Sequence, residues 1–469
     1  MKRCGKQWTA LALASLLVLG TASSALAGQY VVQKGDYLSK IAPKYNTTWR
    51  VLAEKNNLKN PNLIYPNQVL WVPDVEMTEQ VTEQKPAEQK PVEQKPAEQK
   101  PEAQKPVEVP AEEKVALTQL QVDDITLKGN GIAPAFDPAV TKYTMEVQSD
   151  IYSVKVTAAA EQGVSITVDG TAVENGASTV VKLPDDYEHY GVDYSQDIVI
   201  VATKGDQSTT YTVTVKRVNA ADVYALFEAK EYVDKETGVT MPYELYVPSN
   251  YDASKEYPIV FALHGSGQRT QSVDMVIKRY EMATVWAKDS EAGLRECIVL
   301  APQCATQDDS ENWTSLMEYR KGTAEDAFEM SKYSVAAYNL LQDVMKEYSV
   351  DKDRVYMTGL SAGGFATYAI AIAHPETFAA LVPVCGGADP EKVSALKDIP
   401  MWIFHAADDP QVNVDEFLYP TLKALDEAGA NYKKTIYEAG AVFAPSAHFS
   451  WTAAYATEDM RAWLFEQSK

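Results

Sequence analysis

The stretch Arg354-Val355-Tyr356-Met357-Thr358-Gly359-Leu360-Ser361-Ala362-Gly363-Gly364 passes from a short apolar run into a glycine-flanked serine and then into alanine-rich sequence. It reads as strand, tight turn and helix, with Ser361 at the centre of G-x-S-x-G. The spacing has a steric reason. A serine on a sharp strand-to-helix elbow needs neighbours without bulk two residues to either side, and its hydroxyl then stands exposed above the sheet. Glycine-rich turns generate a bare G-x-S-x-G by accident; the flanking strand and helix make this one informative.

A serine hydroxyl is a weak nucleophile until a base takes its proton. The chain has five histidines, His189, His264, His374, His405 and His448. His448 lies in Ser446-Ala447-His448-Phe449-Ser450-Trp451, after the strand-like residues 434–437 and before the last helical stretch, as a base carried above a sheet edge should. His374 precedes Pro375 at a helix end and reads as a surface cap. With an elbow serine the orienting acid falls between serine and base in the chain. Asp408 and Asp409 adjoin each other in His405-Ala406-Ala407-Asp408-Asp409-Pro410-Gln411-Val412. The pattern His-x-x-x-Asp-x-x-Val selects Asp409, leaving Asp408 as a solvated or structural neighbour and His405 as an organiser of the loop. Negative charge developing on a substrate oxygen also needs donors. His264-Gly265-Ser266-Gly267 follows an early buried strand, and the N–H groups of Ser266 and Ala362 form the expected pair. The alternative for that segment is a tight turn that merely leaves the strand.

Outward from this centre, apolar runs at 259–263, 298–301, 355–358, 380–384 and 401–404 alternate with helical stretches such as 333–348 and 417–428. Short unbroken apolar strands interleaved with helices imply a doubly wound, mostly parallel sheet covered on both faces, over residues 219–469.

The chain has 469 residues, too many for one ordinary domain, and its composition shifts abruptly. Residues 1–27 carry Lys2, Arg3 and Lys6, a short apolar run at 11–19 and Ala25-Leu26-Ala27, which together read as a cleaved export signal leaving no membrane span. Residues 28–73 hold six Lys/Arg against Asp36 and Glu54, a net +4. Residues 74–114 repeat Glu-Gln-Lys-Pro and cannot bury apolar surface; extended at roughly 3.1 Å per residue they form a tether on the order of 120 Å long. Residues 115–218 alternate apolar and polar in β-branched runs at 153–157, 164–168 and 211–215, with turn signals at Asp169-Gly170 and Asn175-Gly176, the pattern of an all-β sandwich. An acidic loop with Tyr187, Tyr190 and Tyr194 offers rings for stacking on sugars or is simply solvated. The formal charge of −22 argues against a nucleic-acid binder, because a phosphate backbone needs a basic face. Four cysteines exclude a disulfide scaffold, and no Cys/His spacing, P-loop or G-x-G-x-x-G calls for a metal or cofactor. Cys297, Cys304 and Cys385 remain after signal removal, an odd number; Cys304 and Cys385 either pair or stay as buried thiols.

Three resemblances follow. Leu263-His264-Gly265-Ser266-Gly267, Ala301-Pro302-Gln303-Cys304, Gly359 to Gly364, His405 to Val412 and His448-Phe449-Ser450-Trp451 with Tyr455 resemble, in order, the α/β-hydrolase group of polyhydroxybutyrate-depolymerase-like and feruloyl- or acetyl-xylan-esterase-like carboxylesterases, related to prolyl oligopeptidase. The resemblance implies a serine carboxylic ester hydrolase with Ser361, Asp409 and His448 as its triad, and puts Trp313 at the acyl or leaving-group pocket or in the core. Tyr30-Val31-Val32-Gln33-Lys34-Gly35-Asp36-Tyr37-Leu38, Leu52 to Leu58 and Pro61 to Pro73 resemble a βααβ LysM module. That implies binding of peptidoglycan or another N-acetylglucosamine glycan between Gly35, Asp36, Tyr37, Leu38 and Asn62, Leu63, Ile64. Pro134 to Pro138 with Thr141-Lys142-Tyr143 and Tyr211 to Val215 resemble cadherin-like or Ig-like sandwiches appended to bacterial surface enzymes. The expectation is a secreted, wall-associated esterase held by a cationic module while an acidic catalyst, −24 over the last 355 residues, stands off on the tether. Two other readings are a peptidase of the same fold, against which the lack of a propeller-type filter domain speaks, and an adhesin with an inert hydrolase domain.

Overall fold

A computed structural model describes residues 28–32, 38–45, 47, 49–56, 58, 68–73, 115–126, 131–308, 310–443 and 445–469. The expected export signal, residues 1–27, and the expected tether, residues 74–114, lie outside these residues. The chain divides into two compact units between Lys105 and Pro106.

In the first unit, β1 (Gln29–Val31) pairs antiparallel with β2 (Val69–Trp71), and the helices Leu38–Ile41 and Trp49–Lys55 lie between them in the chain. Strand β2 buries Leu70 and exposes Val69 and Trp71, so its one inward residue joins Val32, Leu38, Ile41 and Leu52 in a small core. Asn56 closes the second helix. Its Nδ2 donates to Leu52 O (2.7 Å) and Trp71 O (2.9 Å), while its Oδ1 accepts the Trp71 N–H, which staples helix to strand.

The second unit begins with eight strands: β3 (Leu117–Asp123), β4 (Lys142–Val147), β5 (Ser153–Ala160), β6 (Ser165–Val168), β7 (Thr171–Val173), β8 (Ser178–Lys182), β9 (Tyr194–Lys204) and β10 (Gln207–Arg217). They form sheets ordered β3-β5-β8 and β4-β10-β9-β6-β7. Alternate residues of β4 are buried, and Tyr143, Met145 and Val147 meet Val154, Val156, Ile198 and Val213 in one core. Asp169-Gly170 makes the two-residue turn between β6 and β7, with φ of 47° and 78°; both residues sit in the left-handed region that such a turn demands.

The C-terminal part holds an eight-stranded sheet of β11 (Phe227–Val233), β12 (Thr240–Tyr246), β13 (Tyr257–Leu263), β14 (Ile298–Pro302), β15 (Val350–Leu360), β16 (Ala380–Val384), β17 (Met401–Ala406) and β18 (Tyr432–Tyr437), ordered β11-β12-β14-β13-β15-β16-β17-β18. From β14 to β18 every pairing is parallel; β11 and β12 are antiparallel additions that lie outside the apolar runs of the sequence. Strand β11 explains why: it is Phe-Glu-Ala-Lys-Glu-Tyr-Val, a half-exposed edge strand. Strand β13 is buried along its whole length, and its residues go alternately to two cores: Ile259, Phe261 and Leu263 to one face, Val260 and Ala262 to the other. Both faces are therefore covered, as unbroken apolar strands require. The sandwich core extends into this domain through Ala406, Val442 and Ala447. Cys297, Cys304 and Cys385 are all buried and unpaired. Among the described residues no helix is long and apolar enough to cross a membrane.

Candidate active site

Strand β15 delivers Ser361 onto the elbow at φ 56°, ψ −119°, and the helix Ala362–Ala373 leaves from it. This is a strained backbone for a residue with a side chain. Two glycines make it possible. A Cβ on Gly359 would stand 2.2 Å from Gly363 O, and a Cβ on Gly363 only 2.0 Å from Leu263 O, so strand, helix and the neighbouring β13 touch backbone to backbone. The Ser361 N–H donates to Val384 O (3.0 Å), pinning the elbow to β16.

Above it, His448 sits in the 3₁₀ turn Ala447–Phe449, whose start is capped by Ser446 Oγ accepting the His448 N–H. His448 Nδ1 donates to Asp409 Oδ2 at 2.7 Å, which leaves Nε2 to accept the Ser361 hydroxyl at 2.9 Å. Asp409 follows β17, and its other oxygen accepts the N–H groups of Gln411 (2.8 Å) and Val412 (2.9 Å). Burial pushes this carboxyl up, but the hydrogen bonds from His405 and His448 and the Val412 N–H outweigh it and hold it well below the usual carboxylate range. Fully buried His405 donates from Nε2 to Val412 O (2.9 Å) with Asp409 Oδ2 at 3.4 Å, so it organises the loop. Asp408 is exposed and accepts the Gly440 N–H. His374 caps the helix Ala362–Ala373 and stacks on Tyr338, ring centroids 3.6 Å apart.

Ser266 opens the 3₁₀ turn Ser266–Gln268, and Ala362 opens its helix; N–H groups in the first turn of a helical segment lack an intrahelical acceptor and are available to a ligand. The turn adjoins the nucleophile: a Cβ on Gly265 would lie 3.4 Å from Ser361 Cβ. Of the two places left open for Trp313, pocket or core, the structure has it in the core. It has no exposed surface, and its indole N–H donates to His264 O at 2.8 Å, so it supports the turn from beneath instead of lining a pocket. The tyrosine loop is not free in solvent either. Tyr190 is buried, Tyr194 half-buried, and exposed Tyr187 shares a hydrogen bond with Ser272 beyond the turn (3.2 Å). Of the expected glycan contacts, Leu38 lies in its module's core; Gly35, Asp36, Tyr37, Asn62, Leu63 and Ile64 lie outside the described residues.

Family models match three segments: the LysM domain at residues 30–73, the cadherin-like beta sandwich domain at 117–218 and the prolyl oligopeptidase family at 308–441. A solved structure of a thermostable esterase is 27% identical, with a TM-score of 0.51, over 70% of this chain and 99% of that one. The C-terminal domain has the α/β-hydrolase fold. Poly(3-hydroxyalkanoate) depolymerase C of Paucimonas lemoignei is 28% identical over 173 residues, which are 36% of this chain; the chain spans the same 36% of that relative's length. Ahead of the hydrolase stand a LysM domain and a cadherin-like sandwich.

Several residues that build the hydrolase site were missed in the sequence. Desolvation lowers His264 to about 4, so it is neutral; its Nδ1 donates to Gly265 O (2.6 Å) and its Nε2 accepts the Cys304 N–H (2.9 Å). Arg269 Nε donates to Ser266 O (3.1 Å) and Asn312 Nδ2 to Ser266 Oγ (2.7 Å). His264 had a signal, its place directly after a buried strand; Asn312 had only its neighbour Trp313. Cys385, Asp409 and His448 bring potential metal ligands within 4.8 Å of one another, but an ion there would have to displace the Nδ1 proton of His448 and a thiol proton that burial holds tightly.

Proposed function

We propose that the protein is a secreted, wall-associated serine carboxylesterase. The observation that carries this reading is the pair of hydrogen bonds at His448, 2.7 Å to Asp409 and 2.9 Å to Ser361. His448 takes the Ser361 proton as the hydroxyl oxygen attacks the acyl carbonyl, and Asp409, held ionised, keeps the imidazole in the required tautomer and stabilises its charged form. The Ser266 and Ala362 N–H groups receive the oxyanion. His448 then returns the proton to the leaving alcohol, and water, activated by the same base, clears the acyl-enzyme. The likenesses to a thermostable esterase and to a depolymerase of poly(3-hydroxyalkanoate), itself an ester polymer, support esters as the substrate class. The match to the prolyl oligopeptidase family favours one competing reading, amide cleavage, which a peptide nitroanilide assayed beside a nitrophenyl ester separates. The LysM domain supports retention on an N-acetylglucosamine glycan such as peptidoglycan.

Ser361→Ala is expected to lower hydrolysis of a short-chain nitrophenyl ester by on the order of 10³-fold or more and to abolish fluorophosphonate labelling, with an unchanged melting temperature. Full activity in that variant would discard the assignment.

A further inference from the structure

The cadherin-like sandwich takes no part in the chemistry above, yet its loop at residues 184–194 is built into the surroundings of the Ser266 turn. Arg217, buried at the end of β10, fixes that loop: its Nη1 donates to Pro184 O (2.7 Å) and its Nη2 to His189 O (3.1 Å), and the guanidinium lies over the rings of Tyr152 and Tyr194. Within the loop, Tyr190 Oη donates to Asp185 Oδ1 at 2.6 Å, which aims that carboxylate at Arg279 of the hydrolase, 3.6 Å from Nη2. The Arg279 guanidinium is held between the rings of Tyr190 (4.9 Å) and Tyr280 (5.1 Å), and the Arg279 carbonyl accepts the hydroxyl of the sandwich's Tyr152 at 2.6 Å.

From there the contacts run in two directions. Arg279 Nη1 donates to Gly267 O at 3.3 Å, one residue past Ser266, and a Cβ on Gly267 would come within 2.6 Å of that nitrogen. The ring of Tyr280 packs against Trp451 (5.0 Å) and Phe449 (6.0 Å), and Trp451 stands edge-on to His448 at 5.1 Å. One dipeptide thus touches the sandwich on one side, and on the other both the turn that presents the Ser266 amide and the aromatic wall behind the imidazole.

We propose that Arg279 and Tyr280 are positioning residues through which the β-sandwich sets the Ser266 turn and the His448 ring in their working geometry. The proposal rests on the reading of Ser266 and His448 given above. Its physical basis is that hydrogen-bond donors stabilise a developing oxyanion only when held in place beforehand, so a displacement of about 1 Å is costly in rate while substrate affinity barely changes. Arginine suits the post because its planar fork stacks between two rings while donating at its edge; a lysine keeps the charge and loses both.

The test uses the full chain, with rates expressed per active site titrated by a fluorophosphonate so that misfolded molecules drop out. Arg279→Lys is expected to lower kcat for a nitrophenyl ester about tenfold or more with KM within about threefold of native, and to weaken a trifluoromethyl ketone, whose adduct at Ser361 carries an oxyanion, in step with kcat. Tyr280→Leu should behave alike, and Tyr280→Phe, which keeps the ring, should restore native kcat. Asp185→Asn, on the sandwich side, is the milder companion should Arg279→Lys not fold, with a loss of about threefold or more in kcat expected. Unchanged kcat and ketone affinity per titrated site in these variants, with only a lowered melting temperature, would overturn the proposal and leave the dipeptide a domain fastener. Native enzyme that takes up no fluorophosphonate would overturn the underlying catalytic reading instead.

Discussion

Asp409 spends all its acceptor capacity: two backbone N–H groups on one oxygen, two histidines around the other. An amide at this position keeps the shape, but its NH₂ cannot accept the Nδ1 proton, so the imidazole turns to the tautomer that cannot deprotonate Ser361. Asp409→Asn is therefore expected to lower kcat by on the order of 10⁴-fold near neutral pH with little change in KM, measured on a soluble ester. A second buried acid works in the opposite sense. Asp150, between sandwich and hydrolase, is pushed up to about 7 by burial and then by Glu281, with Lys288 and the Thr452 hydroxyl acting against the rise. A carboxyl whose folded pKa is raised costs nothing below its unfolded value of 3.8 and costs progressively more as the pH climbs from there to about 7. Asp150→Asn should therefore leave the melting temperature near pH 4 almost unchanged and raise stability at pH 8 by on the order of a few kcal/mol. A parallel pH dependence of the two proteins in thermal unfolding would refute this.

At the scale of elements, the elbow is the most demanding joint in the hydrolase. Gly363→Ala would drive a methyl into Leu263 O, backbone against backbone, and is expected to prevent folding or to reduce the soluble yield severely, read by circular dichroism and expression. This joint was legible in the sequence because one short stretch encodes all of it: strand, two glycines, serine, helix. Strand Ala380–Val384 was equally plain, an apolar run bounded by loops. What stayed hidden was long-range or half-exposed. Strand β11 carries charges on an exposed edge, β12 interrupts its apolar residues with Pro242 and Glu244, and the support of the Ser266 turn comes from Asn312 and Trp313, more than forty positions away. Trp313 was ambiguous for the same reason, since a large ring beside a site reads alike whether it faces a ligand or lies beneath the loop that does. The tyrosine loop misled through composition: acidic and aromatic residues suggest solvent, but here Asp185 and Tyr190 are spent on Arg279.

For the whole molecule, the LysM domain and the pair formed by sandwich and hydrolase are separate compact units, each with its own core. Deleting residues 28–73 is accordingly expected to leave kcat on a soluble nitrophenyl ester within about twofold while removing retention on insoluble peptidoglycan or chitin in a sedimentation assay. A deletion that halts hydrolysis would mean that the two units cooperate in catalysis. The larger unit is knit without disulfides. Its three cysteine thiols are buried, and desolvation raises every one of their pKa values, so none presents a thiolate while the chain is folded. Folding of this unit calls for no disulfide oxidase or disulfide isomerase, an added thiol reductant is expected to leave it untouched, and alkylation by iodoacetamide becomes a counter of molecules that have opened.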